Sequence, residues 1–196
     1  MKKSIITISR EYGSGGRMIG KMVAEKLGIA YYDKEIIARV AEKTGFTEDF
    51  IEKNGEYSPS KSIFAYSVIG RDRSGTSMND YIFSVQRKII LDIAEKGPCV
   101  IVGRCADDIL SDYENSLHVF VYGESKDKIK KIMASNAVSE KEALKLMKIT
   151  DKKRSINYNY YTDRQWGKAQ NYDICLNSSA FGYEACADII AEIAES

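Results

Sequence analysis

Short apolar runs alternate along the chain with longer stretches in which apolar residues recur every three or four positions. The apolar runs cover residues 5–8, 29–32, 99–102, 117–122 and 172–176. Runs of this length, rich in β-branched residues, predict buried parallel strands. The stretches between them predict helices over residues 16–27, 33–44, 79–95, 125–137 and 181–193, a short helix capped by Thr47 and a long helix capped by Ser139. This alternation indicates an α/β fold, in which helices cover both faces of a five-stranded parallel sheet.

Residues 55–78 interrupt this alternation. They are rich in serine and glycine and contain Pro59 and the basic pair Arg71 and Arg73. Such a composition favours a long, partly ordered loop or a small insertion, and we expect this segment to be a moving part of the protein. The whole chain of 196 residues has no internal repeat and has the size of a single domain.

The charge and composition exclude several classes of function. Lysine and arginine number 29 against 28 aspartates and glutamates, so no global field attracts nucleic acid or an anionic membrane. The apolar stretch after the N-terminal lysines is too short for a signal peptide, and none is long enough for a membrane span, so we expect a cytoplasmic protein. The four cysteines lack the spacing of a zinc site or a disulfide scaffold, and we expect reduced thiols. The single histidine, His118, excludes a multi-histidine metal site and lies in a predicted strand, where we expect a structural role.

A glycine-rich loop follows the first predicted strand. Gly13, Gly15 and Gly16 occupy three of four positions between that strand and the following helix. In parallel sheets ligands bind beyond the carboxyl ends of the strands, and a glycine loop that leads into a helix presents backbone N–H groups to phosphate. The alternative is a tight turn with no ligand.

The loop departs from the regular Walker A pattern, G-x-x-x-x-G-K-[ST]. Arg10 stands where that pattern requires glycine, Gly16 where it requires lysine, and Arg17 where it requires serine or threonine. Backbone N–H groups can still hold a phosphate, but the lysine charge needs a substitute. Arg17 is the obvious candidate, since its guanidinium can bridge phosphate oxygens; it can instead pair with a carboxylate on the helix surface.

Charged residues also follow the second and third predicted strands. Asp33 lies at the end of the second strand, and helical spacing places Arg39 on a face that can share the same cleft. A simple helix cap and a solvated arginine are the alternative for this pair. Arg104 follows the most apolar strand, where burying a guanidinium is expensive unless it meets an anion.

Residues 126–154 are strongly basic, with ten lysines and arginines and four acidic residues. A basic helical face is usually solvated, and the aromatic residues that follow it are expected to pack against the body of the protein. Cations beside aromatic rings also suit single-stranded nucleic acid, but the sequence has no second basic patch and no RNA-binding signature. We therefore expect no nucleic-acid partner.

Taken together, five segments resemble the cytidylate kinase-like family. They are ITISREYGSGGRMIG, YYDKEII, VIVGRCAD, DKKRSINYNYYTDRQWG and NYDICLNSS, and the resemblance extends over essentially the whole chain. It implies a three-layer α/β/α P-loop kinase fold in one domain over residues 1–196. It further implies an acceptor-binding region at about 34–97 with a mobile, monophosphate-binding insertion at 55–78, and a helical lid at about 139–168. The implied reaction transfers the γ-phosphate of ATP, with Mg²⁺, to a nucleoside monophosphate, above all CMP or dCMP.

The resemblance also implies roles for individual residues. The residues predicted to hold the ATP phosphates, from the glycine loop itself, are Gly13, Ser14, Gly15, Gly16 and Arg17. Those implied to bind the acceptor are Asp33, Arg39, Arg104 and Asp151, and those implied to surround the transferred group are Arg17, Arg104 and Arg154. For the metal, Asp33 or Asp107 is possible, mainly through water.

The sequence also departs from ordinary members of the family. Glu35 replaces the acceptor element's glycine, and Met147 stands where those members place an arginine near the sugar. The acceptor base, the sugar and the oligomeric state therefore stay open. Two alternatives also stay open: a nucleotide-binding regulatory module that has lost catalysis, and a kinase for another small acceptor.

Overall fold

A computed structural model describes residues 2–54 and 77–196 as a parallel sheet enclosed by helices. Its strands are β1 (Ile5–Arg10), β2 (Ala30–Tyr32), β3 (Cys99–Val102), β4 (Ser116–Tyr122) and β5 (Ile174–Asn177). The helices of these residues are α1 (Gly16–Leu27), α2 (Lys34–Thr44), α3 (Glu48–Asn54), α4 (Met78–Lys96), α5 (Ala106–Ile109), α6 (Ser125–Asn136), α7 (Glu140–Thr162) and α8 (Ser178–Glu195). The predicted insertion at 55–78 lies outside the described residues, except for Ser77 and Met78. Ser77 caps α4 by accepting a hydrogen bond from the Asp80 amide.

The sheet has the strand order β2-β3-β1-β4-β5, and every pair is parallel. The predicted five-stranded α/β architecture is therefore confirmed. β1 lies in the centre, where it pairs with β3 from Ile5 to Ile8 and with β4 along its whole length. The loop after β1 is consequently placed at the middle of the carboxyl edge of the sheet.

The two faces of the sheet contact separate apolar cores because side chains alternate along each strand. Ile6 and Ile8 of β1 point to the face covered by α1 and α8. Ile5 points to the opposite face, where α2 and α4 pack against the sheet. All three isoleucines are buried. The centre of the sheet is thus fixed on both sides, which holds the end of β1 in place.

Several helix ends follow the sequence signals. Gly28 caps α1 in the left-handed conformation, and Thr47 Oγ1 accepts a hydrogen bond from the amide of Phe50 in α3. Ser139 and Glu142 form a capping box at the start of α7. Among residues 2–54 and 77–196, no helix is both long enough and apolar enough to cross a lipid bilayer.

Besides shifts of up to three residues at other element ends, such as β5 and α8, the structure differs from the sequence prediction at three points. β1 continues through Ser9 and Arg10, because these polar residues pair with Phe120 and Val121 of β4. The short helix α5 has only four residues, too few to show a helical period. Asp33 occupies the position before α2 but makes no side-chain cap there, because its carboxylate pairs with Arg17 instead.

Candidate active site at the glycine loop

The glycine loop turns sharply between β1 and α1. Gly13 and Gly15 both have φ of +83°, a conformation that favours glycine. Ser14 is fully buried: its hydroxyl donates to the Glu11 carbonyl oxygen at 2.8 Å, and its own carbonyl accepts from Ser178 Oγ at 2.6 Å. The side chain of Ser14 therefore serves the shape of the loop and does not reach the cavity that the glycines line.

The N-terminus of α1 opens into a cavity of about 310 Å³. Gly15 precedes the helix without any side-chain cap, and the first turn carries no acidic residue. The unsatisfied N–H groups and positive dipole end of a helix are a suitable environment for an anion. The walls of this cavity include Gly13, Gly15, Gly16, Arg17 and Arg154. The loop predicted to bind phosphate is therefore an accessible cradle.

Three buried arginines meet beside this cradle. Arg10, Arg104 and Arg154 are 4%, 2% and 6% exposed, and all three line a second, smaller cavity at the ends of β1 and β3. Arg10 and Arg154 line both cavities. Arg154 Nη1 donates a hydrogen bond of 2.9 Å to the carbonyl oxygen of Arg10, which fixes α7 against the end of β1. Three guanidinium groups at one cavity make its lining strongly basic, and a planar guanidinium suits the oxygens of a phosphate.

The backbone that carries Arg104 has an unusual conformation. Gly103, Arg104 and Cys105 have φ of +74°, +64° and +56°, so two residues with side chains adopt the left-handed region. Gln86 of α4 donates from Nε2 to the Arg104 carbonyl oxygen at 3.2 Å. Strained backbone that the surroundings hold in place is common at functional sites. Here it directs the chain after β3 so that Arg104 enters the arginine cluster.

Arg17 and Asp33 form an ion pair. Arg17 Nε lies 2.8 Å from Asp33 Oδ2, and the Arg17 side chain is 44% exposed. The structure thus pairs Arg17, predicted to hold the ATP phosphates, with Asp33, predicted to bind the molecule that accepts the phosphate. The second oxygen of the carboxylate, Oδ1, is buried and accepts no hydrogen bond from any described residue.

Arg39 and Asp151, the other two predicted acceptor residues, line neither cavity, and neither does Asp33. Arg39 is half-buried on α2, with its guanidinium carbon 5.1 Å from the centre of the Tyr32 ring. Asp151 accepts a hydrogen bond of 2.7 Å from the amide of Tyr12, and Arg154 lies 3.7 Å away. The carboxylate of Asp151 therefore holds the glycine loop, and contact of either residue with an acceptor stays a prediction.

Asp107 is deeply buried behind the cluster. Its carboxylate accepts hydrogen bonds from Tyr158 Oη at 2.7 Å and from Ser9 Oγ at 3.2 Å. Burial raises the pKa of Asp107 to about 6. Each Asp107 oxygen accepts a hydrogen bond, whereas Asp33 Oδ1 accepts none from the described residues, so Asp33 Oδ1 is the better of the two candidates for holding a metal. The part of the chain that the structure describes contains no cluster of three or more metal-ligating side chains.

In the sequence, Arg10 is recognisable only as a departure from the Walker A pattern, which gives it no role. Its signal is its position, the last residue of a buried strand directly before the glycine loop. Lys131 and Tyr183 were also missed; both line the first cavity, and Lys131 Nζ lies 4.3 Å from the centre of the Tyr183 ring. Neither belongs to a recognisable motif, so only the fold identifies them.

Comparison with protein families decides the affiliation. The model of the cytidylate kinase-like family matches residues 5–180. The chain belongs to this family. Membership of the cytidylate kinase-like family supports phosphotransferase activity, and it confirms the resemblance inferred from the five sequence segments. No protein of curated function matches this cytidylate kinase-like chain.

Solved structures resemble the cytidylate kinase-like protein over nearly its full length. An uncharacterized protein from Eubacterium ventriosum ATCC 27560 shares 32% identity and has a TM-score of 0.76, with 98% of each chain covered. A shikimate kinase from Bacteroides thetaiotaomicron shares 15% identity at a TM-score of 0.57, again with 98% of each chain covered. A gluconokinase from Sinorhizobium meliloti 1021 shares 13% identity at a TM-score of 0.54, covering 98% of this chain and 94% of that one. The last two establish the fold alone, and that fold is of the P-loop kinase type.

Proposed function

We propose that the protein transfers the γ-phosphoryl group of ATP to a nucleoside monophosphate, CMP or dCMP. The observation that carries this proposal is the position of the arginine cluster directly beside the glycine cradle. Phosphoryl transfer needs alignment of two substrates and positive charge around the transferred oxygens, with little covalent or acid–base chemistry from the protein. A cradle and a cation cluster at the carboxyl edge of one sheet supply those requirements.

The donor is assigned to the glycine loop. The N–H groups of Gly13, Gly15 and Gly16 would hold the ATP phosphates at the N-terminus of α1, where the helix dipole favours negative charge. The loop is anchored from several directions, so its N–H groups are fixed before the nucleotide arrives. Preorganised donors need no reorganisation during the reaction, which makes them more effective than mobile ones.

The transferred group is assigned to Arg104, Arg154 and Arg17. Arg104 and Arg154 are almost fully buried, and charges act more strongly in such surroundings because solvent screening is weak. They come from different elements, Arg104 from the segment after β3 and Arg154 from α7. Their guanidinium groups would offset negative charge as it develops on the phosphoryl oxygens. The lid role of residues 139–168, which contain α7, belongs to this proposal.

The acceptor is assigned to the end of β2 and to α2. Asp33 and Arg39 lie there, and Arg39 would bind the phosphate of the acceptor while the Tyr32 ring supports its side chain. Asp151 is assigned to the acceptor on the family resemblance. CMP or dCMP is proposed on the family resemblance, because none of these contacts by itself selects a base.

Mg²⁺ is part of the proposal as the partner of the donor phosphates. When bound, it neutralises charge between the β- and γ-phosphates. Asp33 Oδ1 is the described carboxylate oxygen that fits this role, being buried and without a hydrogen-bond donor from the described residues. With few direct protein ligands, Mg²⁺ would be held largely through water and phosphate, as it prefers.

An acceptor panel tests the proposal. ADP release from ATP and Mg²⁺ would be followed with CMP, dCMP, UMP, AMP, GMP, shikimate and gluconate, together with calorimetric ATP binding. Turnover with CMP or dCMP above all others supports the proposal. Turnover with a different acceptor assigns another kinase activity, and binding without turnover for every acceptor assigns a regulatory nucleotide-binding module; either result overturns it. In the same assay Arg39→Ala is expected to weaken acceptor binding far more than ATP binding.

A further inference from the structure

We infer that Arg10 supplies, from the end of β1, the positive charge that a Walker A lysine supplies from the start of the following helix. The inference rests on the proposed binding of ATP phosphates at the glycine loop. It concerns two of the departures from the Walker A pattern, glycine to Arg10 and lysine to Gly16. In the structure the two positions are adjacent, so an arginine at position 10 and a glycine at position 16 can be understood as one coupled replacement.

Arg10 and Gly16 occupy the same space. A Cβ added at Gly16 would lie 2.6 Å from Arg10 Cβ and 2.9 Å from Arg10 Cγ, closer than carbon atoms approach. A lysine at position 16 therefore requires the Arg10 side chain to leave, and Arg10 requires the absence of a side chain at position 16. The stem of Arg10 thus takes the place from which a Walker lysine would start.

The Arg10 side chain is also directed to the right region. It is 4% exposed and lines both the glycine-loop cavity and the cavity shared with Arg104 and Arg154. Its backbone is fixed by pairing with Val121 of β4 and by the hydrogen bond that Arg154 donates to its carbonyl oxygen. The point from which its side chain starts is consequently fixed by the sheet.

Arg17, the candidate from sequence, has a different environment. It is 44% exposed and its Nε lies 2.8 Å from Asp33 Oδ2. Solvent screens the field of a half-exposed guanidinium more strongly than that of a buried one. Arg10 therefore occupies the position of the missing lysine better than Arg17 does, and its planar guanidinium can bind two phosphate oxygens together.

Paired exchange of positions 10 and 16 tests this inference. Arg10→Gly is expected to weaken binding of Mg²⁺-ATP and of inorganic triphosphate by about 10- to 100-fold, the range for losing a charge-assisted hydrogen bond. Gly16→Lys alone is expected to unfold at a lower denaturant concentration, because the new lysine and Arg10 compete for the same space. The double variant Arg10→Gly/Gly16→Lys carries the Walker glycine and lysine, and it is expected to recover most of the affinity. Binding would be measured by calorimetry and folding by circular dichroism.

Three further variants keep the result decisive. Arg10→Met retains most of the packing against Gly16 without the charge and should bind as weakly as Arg10→Gly, whereas Arg10→Lys should retain most of the affinity. Lys21→Ala removes an exposed positive charge from α1 and should leave binding unchanged. A folded Arg10→Met that binds both ligands as tightly as the wild type would overturn the inference, and so would a folded double variant no better than Arg10→Gly.

Measuring the binding of inorganic triphosphate tests this inference separately from the proposed function. A wild type that binds ATP or triphosphate but transfers phosphate to no acceptor would refute the kinase, while the comparison of Arg10 variants would still decide the inference. Failure of the wild type to bind either ligand would refute both.

Discussion

The amide nitrogen of Tyr12, in the glycine loop, donates a hydrogen bond of 2.7 Å to Asp151 Oδ1, in helix α7. The two residues are 139 positions apart in sequence. Tyr12 also places its ring 5.7 Å from the guanidinium carbon of Arg154, one turn along the same helix. The loop proposed to hold the donor and the helix proposed to carry a cation for the transferred group are thus joined directly.

Asp151→Ala is expected to lower the free energy of unfolding by about 1.5–3 kcal/mol, because it leaves the Tyr12 amide without its charged acceptor. Asp151→Asn keeps an oxygen that accepts from Tyr12 and is expected to lose less. Urea unfolding of the ligand-free protein measures both. Lys152→Ala, an exposed neighbour on the same helix, is the control and should change stability by no more than about 0.5 kcal/mol. An alanine variant as stable as the wild type would show that the contact does not support the loop.

Arg17→Ala is expected to reduce turnover by about 10²- to 10³-fold, since a cation near the transferred group stabilises the transition state. Its stability should change by less than about 1 kcal/mol, because the ion pair with Asp33 is exposed on the Arg17 side. Steady-state kinetics and urea unfolding check the two expectations. Near-normal turnover would assign the charge at the transferred group to the buried arginines alone.

The strands and helices could be predicted because their signals are local. A run such as residues 99–102 is apolar throughout, and Ser139 with Glu142 lies three residues apart in one capping box. The extension of β1 through Ser9 and Arg10 could not be predicted, because polar residues become a strand there only by pairing with β4. The local sequence pattern is thus enough to predict that a strand or helix exists. Where the element ends depends on pairing between segments that are distant in sequence.

The site shows the same division. Arg104 was expected to bind an anion because it follows an apolar strand, and the structure brings it into one cavity with Arg154. The role proposed for Arg10 could not be predicted, because in the sequence Arg10 only replaces the first glycine of the Walker A pattern. Its proximity to Gly16 is visible only in the folded structure. Asp151 was assigned to the acceptor by resemblance, whereas its contact with the Tyr12 amide is visible only in the folded chain.

Asp107→Asn is expected to change how stability depends on pH. Burial raises the pKa of Asp107 from 3.8 to about 6, so between these values the folded protein keeps a proton that the unfolded chain has released. The wild type should therefore lose stability relative to the variant as the pH rises from 4 to 6, by about 2 kcal/mol. The asparagine can still hydrogen bond to Tyr158 and Ser9, so packing is preserved.

Urea unfolding of the wild type and Asp107→Asn at pH 4, 5, 6 and 7 measures this difference. Taking the difference between the two proteins cancels the other titrating groups, which both share. Two parallel profiles across the range would mean that the carboxyl group of Asp107 titrates at the same pH in the folded and unfolded chains, contrary to the expectation from its burial.

Gly15→Ala is expected to damage both stability and nucleotide binding. Gly15 has φ of +83°, and an added Cβ would collide with the ring of Tyr183. Gly28, at the other end of α1, offers a matched control: its φ is +64°, and an added Cβ would meet nothing within 4 Å. Both substitutions carry the left-handed penalty of about 1–2 kcal/mol, but only Gly15→Ala adds overpacking of about 1–3 kcal/mol.

The collision can be separated from the backbone penalty by a second change. Tyr183→Ala opens the space beside Gly15, so the double variant Gly15→Ala/Tyr183→Ala should lose less stability than the two single losses added together. Urea unfolding of the wild type, the two single variants and the double variant gives the coupling free energy between positions 15 and 183. Calorimetry with ATP shows whether the double variant recovers nucleotide affinity. Equal losses for Gly15→Ala and Gly28→Ala, with no coupling to Tyr183, would show that the ring yields freely and that the loop owes its shape to the backbone alone.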